Sequence, residues 1–148
     1  MDEHRSLFAS NQLRCTRQRT LVYEALMAHN THPTAEELFH RIRETNPGLS
    51  LATVYNTLDA LARCGLCRRI PSPSPSGPCR FDAHTHDHAH VLFDNGRVAD
   101  VPENLSDRLL AALPDDVLAS VEDALGVRIT NIAVQIHARL GADPDASA

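Results

Sequence analysis

The sequence contains no apolar run that approaches the roughly 18 to 20 residues that a membrane-spanning helix needs. Its first residues, MDEHRSLFASNQLR, lack the apolar core of a signal peptide. The sequence has four cysteines, and we expect Cys15, Cys64, Cys67 and Cys79 to stay reduced without forming a structural disulfide. These absences predict a cytoplasmic protein with no membrane partner.

Lysine is also absent, so all 14 basic side chains are arginine. Codon usage in a G+C-rich genome and the suitability of arginine for phosphate and guanine contacts explain this equally well. The net charge of -5 argues weakly against nucleic acid, but residues 1–82 hold ten arginines and eight acids, and residues 83–148 hold four arginines and eleven acids. The N-terminal part is therefore the better candidate for contact with a polyanion.

The length of 148 residues and the hydrophobic fraction of 43% suit one ordinary globular domain or two small ones. Thr16 and Ser50 are typical helix caps, and Thr34 with Glu37 forms a capping box. The predicted helices lie near residues 3–12, 16–30, 34–46 and 50–65, followed by short strands at 66–70 and 79–82. A Pro- and Ser-rich segment joins these strands, and its composition alone resembles a linker. Because three helices followed by a hairpin are the order of a winged helix, we interpret it as the tip of a β-hairpin.

The C-terminal part favours a mixed structure. Asp94-Asn95-Gly96 is a hairpin signal between expected strands at 89–93 and 97–101. Helical patterns follow at 104–113 and 115–125, and an alternating final strand is expected at 127–138. The predicted fold class is α+β, with a winged helix-turn-helix over residues 1–82, a small α/β domain over 83–140 and a disordered tail over 141–148.

The helix after Ser50 carries an apolar stripe formed by Leu51, Val54, Leu58 and Leu61. Its other face has small and hydrogen-bonding side chains, namely Ala52, Thr53, Asn56, Ala60 and Arg63, with Tyr55 at the border. Threonine methyls and aromatic rings can pack against thymine, and asparagine can pair with adenine. We predict that this helix reads DNA through Ser50, Thr53, Tyr55 and Asn56.

Three arginines lie just before and within the second helix. Arg14, Arg17 and Arg19 can anchor phosphates or enter the minor groove, although each could equally be an ordinary exposed side chain.

Four histidines alternate at positions 84, 86, 88 and 90, which on an extended segment would place them on one side. Asp82, Asp100 and His32 are further candidate ligands. Imidazoles with carboxylates favour Fe²⁺, Mn²⁺ or Zn²⁺ over Cu(I), and five mixed ligands suit Fe²⁺ or Mn²⁺ better than Zn²⁺. We expect a metal site whose ion the sequence leaves open.

Five segments together resemble the ferric uptake regulator (Fur) superfamily over roughly residues 5–140. They are Thr16-Arg-Gln-Arg19, His32-Pro-Thr-Ala-Glu36, Ser50-Leu-Ala-Thr-Val-Tyr-Asn-Thr-Leu58, Arg80-Phe-Asp82 and Asp87-His-Ala-His90. The peroxide-responsive branch is the most similar, because Asp82 stands where iron-uptake regulators usually have Glu and Asn56 where they often have Arg.

The resemblance implies a homodimeric repressor of double-stranded operator DNA, with the C-terminal domain serving dimerisation. It implies a regulatory metal site formed by His32, Asp82, His88, His90 and Asp100, and oxidation of His32 or His88 when peroxide reacts at bound Fe²⁺. A metal ion held by all five residues would link the two domains and fix the spacing of two recognition helices in a dimer. Metal binding would thereby raise the affinity for DNA.

Two family features are missing. The structural zinc of the family uses two Cys-x-x-Cys pairs, but the corresponding places read Phe93-Asp-Asn-Gly96 and His137-Ala-Arg-Leu140. We therefore expect no four-cysteine zinc site, and we interpret Cys64-Gly-Leu-Cys67, at the end of a helix, as structural. A third family metal site is doubtful too, since its positions are Asp87, Ala89 and Ile132, which leaves His84 and His86 as spare ligands or as a second, weaker site.

The alternatives are a regulator of iron, zinc or manganese uptake with the same fold, a member that has lost metal dependence, and a metallo-hydrolase. The last follows from His84-Thr-His-Asp-His88, which looks like a metallo-β-lactamase run, but its aspartate is one residue out of register and the chain is short. No nucleophile-base arrangement stands out, so we expect no enzymatic turnover.

Overall fold

The computed structural model describes residues 2–29 and 31–141. Their contacts divide into two compact units, residues 1–85 and 86–148. Most of the predicted tail, residues 142–148, lies outside the described part, as does Asn30 at the expected end of the second helix. Among the described residues no helix combines the length and the apolar character needed to cross a membrane.

The first unit contains four helices and a hairpin, in the order of a winged helix. The helices are α1 (Asp2–Ser10), α2 (Arg17–Met27), α3 (Ala35–Thr45) and α4 (Leu51–Arg63), and the strands are β1 (Arg68–Ile70) and β2 (Arg80–Asp82). The strands pair antiparallel, with Arg69 opposite Phe81. The predicted helix over 3–12 ends earlier, at Ser10, and the hairpin prediction is confirmed.

The predicted caps start their helices. The Thr16 and Ser50 side chains accept hydrogen bonds from the backbone N–H groups of Arg19 and Thr53. Thr34 and Glu37 form both hydrogen bonds of the capping box. Each such cap contributes about 1 kcal/mol because it satisfies a backbone donor that the helix leaves without an intrahelical partner.

The core of the first unit joins all four helices and the hairpin. Its fully buried side chains are Phe8, Val22, Leu26, Leu38, Val54, Leu58, Leu61 and Phe81. Burial of each of these large side chains stabilises the fold by about 1.5 to 3 kcal/mol. The outward position expected for Ala60 is wrong, since only 6% of this residue is exposed. Because α4 packs against both α2 and α3, its buried arc is wider than one apolar stripe.

The second unit holds a three-stranded sheet and two helices. Its elements are β3 (His90–Phe93), β4 (Val98–Asp100), α5 (Glu103–Ala111), α6 (Asp115–Leu125) and β5 (Gln135–Ala138). The sheet order is β4-β3-β5, with β4 antiparallel and β5 parallel to β3. Gly96, with a φ of 83°, occupies the β3–β4 turn in a left-handed conformation that glycine adopts without strain.

The expected final strand over 127–138 is wrong in length. Only residues 135–138 form β5, because alternation of side chains predicts which faces are buried, whereas a strand also needs a neighbour to pair with. The neighbour β3 has four residues, and each of them has a register partner in β5.

Candidate functional site

The predicted DNA-reading helix exposes the side chains that the sequence singled out. Tyr55 and Asn56 are exposed and Thr53 is half-buried. Ser50 caps the helix, and its hydroxyl also lies 2.8 Å from the Thr53 hydroxyl. These exposures are compatible with close approach of α4 to a groove, and contact of its side chains with DNA stays a prediction.

Tyr55 has a partner that sequence reasoning missed. Its hydroxyl donates a hydrogen bond of 2.5 Å to Glu36 Oε1 on α3. This bond lowers the pKa of Glu36. It also raises the pKa of Tyr55 to about 12, and desolvation of the phenol adds a smaller increase. The residues are 19 apart in sequence, so no local pattern indicates the contact. It fixes the direction of the Tyr55 ring.

The three predicted phosphate anchors differ in their surroundings. Arg14 and Arg17 are exposed, and Arg17 begins α2. Arg19 is half-buried and donates a hydrogen bond of 2.7 Å to the Arg14 carbonyl oxygen. Arg14 and Arg17 therefore present their guanidinium groups to solvent, whereas Arg19 braces the backbone of the segment that precedes α2.

His32 and Asp82, called here the N-terminal pair, lie together inside the first unit. Each is 3% exposed, and His32 Nε2 lies 3.7 Å from Asp82 Oδ2. The other carboxylate oxygen, Oδ1, accepts a hydrogen bond of 2.8 Å from the His84 backbone N–H. This turn around Asp82 orients the carboxylate so that Oδ2 faces the imidazole.

His88, His90 and Asp100, called here the C-terminal triad, lie together in the second unit. His88 Nε2 and His90 Nε2 are 3.0 Å and 3.4 Å from the same atom, Asp100 Oδ1. The pairing of β3 with β4 places His90 opposite Asp100. The two imidazole rings are 4.3 Å apart between centroids.

The backbone around Ala89 holds the two histidines of the triad. The Ala89 N–H donates to the buried hydroxyl of Ser106 at 2.7 Å, and the Ala89 carbonyl accepts from the Val101 N–H at 2.9 Å. Sequence reasoning missed Ser106, since one serine in the first turn of an amphipathic helix carries no distinguishing signal. With Ala89 fixed, its two neighbours in the chain both turn toward Asp100.

The surroundings of His88 fit a metal ligand. Its Nδ1 lies 2.8 Å from the His86 carbonyl oxygen, which can only accept, so Nδ1 carries the proton. In the neutral ring Nε2 then presents a lone pair to Asp100 Oδ1. Two acceptors this close need a cation between them or a second proton on the ring. Two neighbouring ligand atoms that each lie about 2.1 Å from one metal ion would be roughly 3.0 to 3.4 Å from one another. The donor set therefore fits a divalent cation.

The expected alternation of four histidines does not extend through the whole run. The chain bends at His86, and residues 83–89 form no strand, so only His88 and His90 are buried. His84 is exposed and its Nδ1 lies 3.3 Å from Asp82 Oδ1. The expectation that four side chains share one face required an extended segment, and the bend removes that condition.

The four cysteines are free thiols. Cys64 is the C-terminal cap of α4, and Cys67 is buried, with its thiol 3.7 Å from the Leu58 carbonyl oxygen. Burial raises the pKa of Cys67 to about 12, so this thiol remains protonated at neutral pH. A protonated buried thiol is neither a metal ligand nor a nucleophile.

Comparison with known proteins identifies relatives for nearly the whole chain. The sequence profile of the ferric uptake regulator family matches residues 10–134. A peroxide-responsive repressor, PerR, of Staphylococcus saprophyticus is 36% identical over 92 residues, which are 62% of this chain and 61% of that repressor. The matched segment thus spans less than two thirds of that relative.

Solved structures share the fold. The manganese-bound ferric uptake regulator from Pseudomonas aeruginosa aligns with a TM-score of 0.68 and 21% identity, covering 93% of this chain and 97% of that one. The Campylobacter jejuni peroxide stress regulator aligns with a TM-score of 0.63 and 22% identity, covering 95% and 96%. These likenesses establish a winged helix-turn-helix followed by an α/β domain.

The Glu36–Tyr55 contact predicts an unusual phenol titration. In the Tyr23→Phe variant Tyr55 is the single tyrosine, and we expect its midpoint near pH 12, because the carboxylate stabilises the protonated phenol. Adding Glu36→Gln should lower the midpoint toward 10.0, as read from phenolate ultraviolet absorbance. Because folding raises the pKa of Tyr55 and lowers that of Glu36, the contact stabilises the fold fully between pH 4.5 and 10.0. The stabilisation decreases progressively from pH 10.0 to 12, and also as the pH falls below 4.5. Equal midpoints in the two variants would contradict the contact.

Proposed function

Because the chain belongs to the ferric uptake regulator family, we propose that it is a dimeric, metal-dependent DNA-binding repressor that responds to peroxide. The observation that carries this proposal is the convergence of His88 Nε2 and His90 Nε2 on one oxygen of Asp100. The similarity to a peroxide-responsive repressor supports the choice of signal. The family consists of transcription regulators, which argues against the hydrolase alternative.

We assign the metal ligands to both units. The N-terminal pair, His32 and Asp82, and the C-terminal triad, His88, His90 and Asp100, supply three imidazoles and two carboxylates. This set suits Fe²⁺ or Mn²⁺ best and Zn²⁺ less well. A bound ion would supply positive charge that offsets the cost of burying the Asp82 carboxylate.

Shared ligands would couple metal binding to DNA binding. The N-terminal pair belongs to the unit that carries α4, whereas the triad belongs to the other unit. A metal held by both would restrict the motion of the DNA-reading helix relative to the dimer, and so favour one spacing of two recognition helices. By linkage, the factor by which metal tightens DNA binding would equal the factor by which DNA tightens metal binding.

The second unit provides the surface for a second copy. Its helix α6 has no buried residue, and large apolar side chains on its surface include Val117, Val121 and Leu125, which are 51%, 40% and 69% exposed. These residues are four apart and form one helical face. A contiguous apolar face of this kind is typical of an oligomer interface. The expected absence of a four-cysteine zinc leaves apolar burial to hold the dimer together.

Peroxide sensing would use the ligand histidines themselves. Fe²⁺ held by these residues would supply the redox chemistry that activates hydrogen peroxide, which is the two-electron oxidant of the ring. The net change at His32 or His88 is replacement of one ring C–H by C–OH, with one water released per peroxide consumed. The oxidised ring is a poorer ligand, so the units would lose their link and the operator would be released.

Metal-dependent DNA binding is tested with an operator selected from random duplex DNA by the Mn²⁺-loaded protein. We expect Mn²⁺ to tighten operator binding roughly 5- to 150-fold relative to chelator-treated protein in fluorescence anisotropy. Asp100→Ala should lose this gain, because it removes the oxygen that both imidazoles face. Asp94→Ala is the control, since Asp94 is a half-exposed carboxylate in the turn of the same hairpin. Equal binding with and without metal would exclude the proposed function.

Peroxide sensing is tested by mass spectrometry of protein loaded anaerobically with Fe²⁺ and exposed to low peroxide. We expect the peptides with His32 or His88 to gain one oxygen, and the exposed His40 to gain none. Mn²⁺-loaded protein, treated in the same way, should remain unmodified. Tight Fe²⁺ binding without ligand oxidation would instead make the protein a sensor of metal level.

The apolar face of α6 predicts a dimer that one charge disrupts. We expect Val121→Glu to weaken dimerisation on the order of 100-fold, because the carboxylate would be buried without a partner in an apolar interface. Ala119→Glu, on the opposite side of the helix, should leave the dimer intact. Sedimentation equilibrium distinguishes the two, and a wild-type monomer or a dimeric Val121→Glu variant would overturn the assignment of the interface.

A further inference from the structure

His32 has a backbone conformation that needs support from its surroundings. Its φ is 49°, in the left-handed region that side chains with a Cβ rarely adopt. It also precedes Pro33, which restricts the conformations of the residue before it. Such a conformation persists only where neighbouring groups hold it.

Arg80 is the side chain that contacts the His32 backbone. Its Nη1 donates a hydrogen bond of 2.9 Å to the His32 carbonyl oxygen. The same nitrogen is 3.1 Å from Glu37 Oε2, and Nη2 is 3.5 Å from Glu37 Oε1. The Arg80 side chain is 19% exposed and that of Glu37 is 49% exposed, so the bond from Arg80 to the His32 carbonyl is the better shielded from solvent.

Glu37 ties this arginine to the start of α3. Its Oε2 accepts a hydrogen bond of 3.0 Å from the Thr34 N–H, and its own N–H donates to the Thr34 hydroxyl. A second link joins the same segments, since the Phe81 N–H donates to the Pro33 carbonyl oxygen at 3.0 Å. The segment that carries His32 is therefore held to β2 at two successive residues, and Asp82 follows directly on that strand.

We propose that Arg80 is a positioning residue for the metal ligand His32. It holds His32 in its left-handed conformation and sets the imidazole opposite Asp82, with Glu37 fixing the guanidinium. This role rests on the proposed function, because it concerns the ligand set assigned above. The planar fork of arginine bonds the carbonyl and the carboxylate together, which the single ammonium of lysine cannot reproduce.

The test measures Co²⁺ binding to the full-length dimer, with the dissociation constant and the ligand-field absorption spectrum as readouts. Arg80→Met should weaken Co²⁺ binding about 10- to 100-fold and alter the spectrum, as expected when support of a ligand is lost. Arg80→Lys should retain the charge and still show the altered spectrum. Arg69→Met is the matched control, since Arg69 lies on the paired strand and forms its ion pair with Asp59. We expect it to change affinity less than twofold.

A double-variant cycle shows whether Arg80 acts through His32. Adding Arg80→Met to His32→Ala should weaken Co²⁺ binding no further than His32→Ala alone. Wild-type affinity and spectrum in Arg80→Met, or additive losses in the double variant, would overturn the proposal. If His32→Ala itself left Co²⁺ binding unchanged, the ligand set of the proposed function would fall instead.

The Glu37→Gln variant separates a loss of ligand positioning from a loss of Co²⁺ binding caused by unfolding. The amide can still accept the Thr34 N–H, so the cap of α3 is retained while the charge that fixes Arg80 is lost. We expect Co²⁺ binding to weaken several-fold and the midpoint of urea unfolding of the metal-free protein to stay near that of Arg69→Met. A lower midpoint with unchanged Co²⁺ affinity would show that the network serves stability alone, and would contradict the proposal.

Discussion

Carboxylates that face buried imidazoles are the constraint on which the rest of this structure depends. Asp82 is almost fully buried with His32, and Asp100 faces two buried histidines. Removing such groups from water is costly unless a cation or a hydrogen bond compensates them. The surrounding backbone is arranged accordingly, since Asp82 is held by the His84 N–H and His88 by the His86 carbonyl. In the proposed function, a divalent cation would satisfy both groups of ligands and so link the local chemistry to regulation.

The two units contribute differently to this arrangement. The first has a well-filled apolar core and can hold Arg80, His32 and Asp82 in fixed positions. In the second, the buried apolar residues are few, namely Ala89, Leu92, Val98 and Val101, and α6 buries none. A unit with so little core gains stability from association with another chain. In the proposed dimer, association would therefore stabilise the second unit as well as pair two DNA-reading helices.

Local signals made much of the fold predictable, and long-range contacts account for what was missed. The Thr34–Glu37 capping box and the Asp94-Asn95-Gly96 turn act over three or four residues, so the sequence displays them directly. The short β5, the burial of Ala60 and the Tyr55–Glu36 bond depend on partners elsewhere in the chain. The sequence proposed the five ligand positions through the resemblance to a family. It could not indicate that Arg80 reaches a carbonyl 48 residues away, because nothing in the pattern links the two.

In the proposed function, one metal ion takes ligands from both units. Pulsed electron paramagnetic resonance of the Mn²⁺-loaded dimer tests it most directly, because the modulation from nitrogen nuclei reports how many imidazoles coordinate the ion. We predict three imidazoles in the wild type and two in both the His32→Ala and the His90→Ala variants. A His32→Ala spectrum identical to that of the wild type would mean that the ion is held by the second unit alone, and would contradict the account.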